Sequence, residues 1–145
     1  MGTLKATIEQ TGPATSTATI RTHTVLVDRT VANGGLDSAP AGGEYLAVAL
    51  GGCFTSHLLG AIRAREAPMS NVRVHVTATT GGTPERFTAF TLDVTAECAD
   101  AQLARKIVTI AGRGCQVVNT LAPVAPITFT YDGSPVVVGD VAAVA

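Results

Sequence analysis

From Tyr45 to Ile62 the chain carries no Asp, Glu, Lys or Arg, and this segment constrains the fold more than any other. Leu46, Ala49, Leu50, Cys53, Phe54, Leu58 and Ile62 recur at helical spacing, so Glu44 to about Arg65 reads as one helix, ended by Pro68. A helix apolar on nearly every side is expected to lie buried, at the centre of a fold. Gly51-Gly52 inside it costs roughly 1 kcal/mol per glycine relative to alanine. That cost implies close backbone approach, with another helix passing at Cys53. The uninterrupted apolar run, Tyr45 to Phe54, falls short of the roughly 18 residues of a bilayer-spanning segment.

Short strands surround this helix in the reading. Lys5 to Gln10 is a strand, Thr11-Gly12-Pro13 a turn, and Thr17 to Asp28 a longer strand rich in Thr, Val and Ile. Val31 to Gly43, with Asn33-Gly34-Gly35, Pro40 and Gly42-Gly43, is a loop. Beyond the helix, Val72, Val74 and Val76 alternate with Arg73, His75 and Thr77. After a turn over Gly81 to Arg86, Leu92, Val94 and Ala96 alternate with Thr91, Asp93, Thr95 and Glu97. Both runs are half-buried strands. Asp100 can cap a second helix bearing Leu103, Ile107 and Ile110, broken at Gly112-Arg113-Gly114. Cys115 to Leu121 is a short helical segment closed by Pro123, Ile127 to Tyr131 a last core strand, and Val136 to Ala145 a loose or edge segment. Antiparallel hairpins segregated from a few helices give an α+β fold, and no linker divides residues 1–145 into more than one domain.

Composition narrows the partners. Hydrophobic residues are 46% of the 145 and charged residues 14%, too little polar surface to cover the molecule, so a homo-oligomer is expected. A net charge of -1 without a basic cluster argues against nucleic acid or an anionic membrane. The N-terminus lacks the apolar core of a signal peptide, and the expected compartment is the cytoplasm.

Three cysteines in such a chain are core residues, metal ligands or reactive thiols rather than a disulfide framework. Cys53, on the buried helix, needs no chemistry to explain it, and Cys98, at a strand end, reads as structural. Cys115 follows Gly114 at the start of a short helix, where backbone N–H groups favour a thiolate. Cys53 and His57 share a helical face, but no second Cys/His pair completes a metal site, and His57 reads as packed or hydrogen-bonded. His23 and His75 take no role.

Two segments together resemble the OsmC/Ohr family of osmotically inducible and organic hydroperoxide resistance proteins. Gly34-Gly35-Leu36-Asp37-Ser38-Ala39-Pro40 followed by Glu44-Tyr45-Leu46-Ala47-Val48-Ala49-Leu50-Gly51-Gly52-Cys53 is similar to its glycine-rich loop and E-L-L-x-A-A-L-G-G-C signature. Gly114-Cys115-Gln116-Val117-Val118-Asn119-Thr120-Leu121 is similar to its G-C-x-V-x-N-T-L signature. The family's proline before the glutamate is replaced by Gly42-Gly43, the proline after the second cysteine by Gln116, and the Thr after the first cysteine by Phe54.

The resemblance implies an OsmC-like fold, an intertwined homodimer with its long helices central, and a thiol peroxidase acting on organic hydroperoxides without a cofactor or metal. Cys53 would be the attacking thiol, Cys115 its resolving partner, and a dihydrolipoyl-type dithiol the reductant. The family's activating arginine matches Arg21, with Arg29 as the alternative, and its carboxylate matches Glu44. Glu44 and Cys53 are separated by roughly 13 Å of helix rise and half a turn, so Glu44 would act through Arg21, by helix distortion or across a dimer interface, and the interface is the favoured expectation. Two other readings stand beside this one: the same fold binding a small ligand in an apolar dimer pocket without turnover, and a structural dimer with core cysteines.

Overall fold

The computed structural model describes residues 2–139, which divide into two compact units, one ending at Leu46 and one beginning at Ala47. The first unit holds a three-stranded antiparallel sheet, β1 (Thr7–Gln10), β2 (Ser16–Ile20) and β3 (His23–Val27), in the order β1-β2-β3. What reads in sequence as one strand from Thr17 to Asp28 is a hairpin, with Ile20 paired to His23 and Arg21-Thr22 between them. No Gly, Asn or Asp announces this turn. Arg21 itself takes the left-handed conformation, φ 54°, that a two-residue hairpin loop requires.

The loop after β3 is organised by Asp28. Its carboxylate accepts from the amides of Arg29 (2.7 Å), Leu36 (3.2 Å) and Ser38 (3.0 Å) and from the Ser38 hydroxyl (2.6 Å). Its own amide donates to the carbonyl of Pro40, closing the loop at its base. A short 3-10 turn, Val31–Asn33, lies inside the loop. Gly35 has no alternative there, because a Cβ would stand 2.0 Å from the Arg29 carbonyl oxygen. The Ser38 hydroxyl, then the amides of Ser38 and Arg29, hold the Asp28 carboxyl down at about 2.

Helix α1 (Gly42–Ala64) starts where the loop ends. Glu44, in its first turn, reaches back to accept the Ala41 amide at 2.7 Å, half of a capping box. The Tyr45 hydroxyl donates to the Leu26 carbonyl at 2.6 Å and pins that first turn to β3.

In the second unit, β4 (Ser70–Gly81), β5 (Arg86–Glu97), β6 (Ile127–Tyr131) and β7 (Ser134–Val136) form a sheet in that order. β4 and β5 are antiparallel along most of their length, but β6 runs parallel to β5, pairing Phe90 with Ile127 and Val94 with Tyr131. The sheet is therefore mixed, not purely antiparallel. The crossover that a parallel pair demands is supplied by α2 (Ala101–Gly114) and α3 (Gln116–Leu121). Asp100 caps α2, accepting the Leu103 amide at 3.0 Å.

Gly112-Arg113-Gly114 does not break α2, which runs through Gly114. Packing explains it: a Cβ on Gly112 would meet Val138 at 2.6 Å, so the glycine lets the chain after β7 lie against the helix. Arg113 Nε donates to the Val138 carbonyl at 2.6 Å, and an Arg105 guanidinium nitrogen to that of Pro135. Of the segment expected from Val136 to Ala145, Val136 ends edge strand β7, residues 137–139 are irregular, and the rest lies outside the described residues.

The core of this unit gathers Leu50, Phe54, Leu58 and Ala61 of α1, Phe90, Leu92 and Val94 of β5, Ala104, Ile107, Val108 and Ala111 of α2, and Phe129 and Tyr131 of β6. Phe54 and Phe129 meet with ring centroids 5.5 Å apart. Only one stripe of α1 is buried, contrary to the expectation for so apolar a helix, and Val48 (61%) and Leu59 (42%) stand exposed. By length and composition α1 would suffice to cross a bilayer, although its longest uninterrupted apolar run falls short. Gly51 does admit a close neighbour, but that neighbour is strand β4: a Cβ there would fall 2.7 Å from Val76 Cγ2. Among the described residues, nothing outside the adjoining backbone of α1 lies within 4 Å of a Cβ on Gly52.

Candidate active site

The two cysteines singled out by sequence, sixty-two residues apart by number (115 − 53), are neighbours in the second unit. Cys53 projects from the middle of α1 and is half-buried, and Cys115 is fully buried at the bend between α2 and α3. Cys115 adopts an extended backbone, φ -77° and ψ 117°, so that one residue ends the first helix and caps the second. All three cysteines are free thiols.

Burial dominates the chemistry of Cys115 and pushes its thiol up to about 11. No first-turn amide makes a capping hydrogen bond to its sulfur. The Val118 and Val117 amides are still near enough to favour a thiolate, and the neighbouring Cys53 acts in the opposite direction. The helix-start argument from sequence thus identifies a real effect that loses to desolvation. At neutral pH Cys115 is a sheltered, protonated thiol, while Cys53 is partly open to solvent.

His57, one turn beyond Cys53 on α1, packs against the same bend: its Nδ1 lies 3.2 Å from where a Cβ on Gly114 would stand. Asn119 of α3 also fastens the bend, its Nδ2 donating to the Arg113 carbonyl at 3.1 Å. Cys98 lies apart from the pair, its Sγ donating to the Asp100 carbonyl at 3.3 Å, near enough to Tyr131 to help raise that phenol, whose main perturbation is burial. Among the described residues, no group of three or more His, Cys, Asp or Glu is placed to hold a metal ion.

Arg21, Arg29 and Glu44 belong to the first unit. Arg21 is exposed on the β2–β3 turn rather than within a strand, Arg29 is exposed at the start of the loop that Asp28 organises, and Glu44 caps α1. Asp28 is the residue that sequence reasoning missed. Its only signal was a carboxylate at the end of a strand, immediately before a glycine-rich loop.

A family model described as OsmC-like protein matches residues 35–130, a span containing Glu44, Cys53 and Cys115 but neither Arg21 nor Arg29. The chain belongs to the OsmC-like family. Solved structures agree on the fold. An OsmC-like protein of unknown function from Vibrio cholerae superposes with a TM-score of 0.79 at 11% identity, over 90% of this chain and 99% of that one. An organic hydroperoxide resistance protein OsmC from Legionella pneumophila gives 0.72 at 16% identity, over 90% and 97%. An organic hydroperoxide resistance protein from Elizabethkingia anophelis, with thiocyanate bound, gives 0.73 at 18% identity, over 90% and 96%. No curated protein sequence matches the chain at a significant level. The OsmC-like fold thus holds here at low identity, with its α+β architecture and long helix.

Proposed function

We propose that this OsmC-like protein is a cysteine peroxidase that reduces organic hydroperoxides to alcohols. The observation that carries the reading is the side-by-side placement of a half-buried Cys53 and a fully buried, protonated Cys115 in a member of this family. The greater accessibility of Cys53 and the burial of Cys115 support attack by the first and resolution by the second.

The Cys53 thiolate attacks the outer peroxide oxygen, the O–O bond breaks, and the alkoxide leaves to take up a proton as the alcohol. Cys53 is left as a sulfenic acid. The sulfur of Cys115 then displaces that oxygen, forming a disulfide and releasing water, which protects Cys53 from further oxidation. A dithiol of the dihydrolipoyl type returns both thiols by exchange, ending as its own cyclic disulfide. The attack uses a thiolate, and a nearby cation stabilises that form. Arg21, with Arg29 as the alternative, supplies that charge and Glu44 orients it, in a cytoplasmic homodimer whose interface covers the exposed apolar face of α1. The same site in a non-catalytic ligand-binding dimer would leave the thiols inert.

Disulfide mapping after one equivalent of cumene hydroperoxide tests the proposal. The expected result is a Cys53–Cys115 disulfide within seconds in the wild type, none in Cys53→Ser, and a trappable Cys53 sulfenic acid in Cys115→Ser. Three unreacted thiols in the wild type would refute it.

A further inference from the structure

The position of the Cys115 sulfur depends on where the α2–α3 bend sits against α1. Two side chains of α1 meet that bend, Cys53 at Cys115 and, four residues later on the same face, His57 at Gly114. The imidazole lies close over the glycine, with Nδ1, Cε1 and Cγ at 3.2, 3.8 and 3.9 Å from the place of a Cβ. Gly114 is not among the glycines with positive φ, so its backbone conformation does not demand glycine. The contact is with the ring, which a Cβ at this position would oblige to give by a few tenths of an ångström.

We propose that His57 is a positioning residue for the second thiol: its imidazole, seated on Gly114, holds Cys115 where it can close the disulfide with Cys53. The inference rests on the peroxidase reading. In the step concerned, the S–O bond of the Cys53 sulfenic acid breaks as the S–S bond forms, and the Cys115 proton leaves with the oxygen as water. Disulfide closure tolerates little error, since the Cα atoms must come within about 7 Å with their Cβ atoms facing. A misplacement of about 1 Å can cost about 100-fold in rate. Peroxide attack at Cys53 involves no part of the bend, so the two steps respond differently to loss of the ring.

The test compares wild type, His57→Ala and His57→Asn in single turnovers with tert-butyl hydroperoxide, trapping sulfenic acid with dimedone and quantifying the disulfide by mass spectrometry. Asparagine places a polar atom near the position of Nδ1 but carries no titrating group. His57→Ala is expected to oxidise Cys53 at a rate within about twofold of wild type, yet to close the disulfide about tenfold or more slowly and accumulate the dimedone adduct. His57→Asn is expected to recover most of the closure rate. Closure at the wild-type rate in His57→Ala overturns the inference, as does His57→Asn being as slow as His57→Ala, which would make the ring a proton carrier. An equal loss of Cys53 oxidation and closure also overturns it. A wild type that forms no disulfide refutes the peroxidase reading itself, a result none of the His57 variants can mimic.

Discussion

Gly51 and Gly52 are adjacent and chemically identical, yet alanine should act on them in opposite directions. In a helix interior, Gly→Ala gains about 1 kcal/mol from the backbone entropy glycine loses on folding. At Gly52 a Cβ meets nothing within 4 Å, so that gain should survive. At Gly51 the Cβ would lie 2.7 Å from Val76 Cγ2. Val76 cannot swing away cheaply, because a β-branched side chain is stiff at χ1 and its strand is paired on the Leu92 side. Overpacking of this kind costs about 1–3 kcal/mol, so Gly51→Ala should come out neutral to about 2 kcal/mol less stable and Gly52→Ala up to about 1 kcal/mol more stable. Urea unfolding followed by circular dichroism, at several protein concentrations, measures both. Because Cys53 stands two residues from the displaced contact, Gly51→Ala should also slow oxidation of the thiol pair. Gly51→Ala more stable than Gly52→Ala would refute the packing argument. A concentration-dependent destabilisation confined to Gly52→Ala would put Gly52 inside the proposed dimer interface, and a gain at every concentration would put it outside.

Three further perturbations test separate parts of the structure. The Asp28 carboxyl is lowered from its usual 3.8 to about 2, so the stability it contributes is fully present above about pH 4 and lost as pH falls through about 2. Asp28→Asn should flatten the acid limb of a pH 2–5 unfolding series, and an unchanged limb would count against the carboxylate's place in the loop. The Cys115 thiol is raised to about 11, so stability should fall as pH rises from about 9 towards 11, and Cys115→Ala should remove that part of the alkaline slope. Asp100→Ala should cost about 1 kcal/mol in a thermal or urea melt through loss of the α2 cap, with no effect on thiol chemistry.

Sequence made the local features legible. The uncharged run of α1 and the alternation in β4 and β5 reflect periodicities that burial imposes on any chain. The Asp100 cap is a contact within one turn of helix. The features missed are those that only tertiary contacts decide. The β2–β3 turn was hidden because Arg21-Thr22 continues the pattern of its flanking strands, and an arginine at φ 54° has no signature. The extension of α2 through Gly112 and Gly114 was hidden because glycine's low helix propensity is outweighed by what packs on it, Val138 at one position and His57 at the other. The parallel pairing of β6 was within reach, since a strand separated from its neighbour by helices is the usual sign of a crossover.

The candidate site shows the same division in its chemistry. Motif resemblance pointed to Cys53 and Cys115, and α1 and the α2–α3 bend bring those two thiols together. The resemblance also ranked them, with Cys53 attacking and Cys115 resolving, whereas the residues alone left the order open, because the helix-start amides at Cys115 argue for a thiolate and burial argues against one. The fully buried position decides the balance, since desolvation acts on the whole charge whereas no amide makes a capping bond to the sulfur. In the proposed peroxidase cycle, a protonated, sheltered Cys115 is poorly suited to meet the peroxide first and well suited to wait for a sulfenic acid beside it. The asymmetry between two chemically identical side chains is therefore a property of the bend and of the residues that hold it: Gly114, His57 and Asn119.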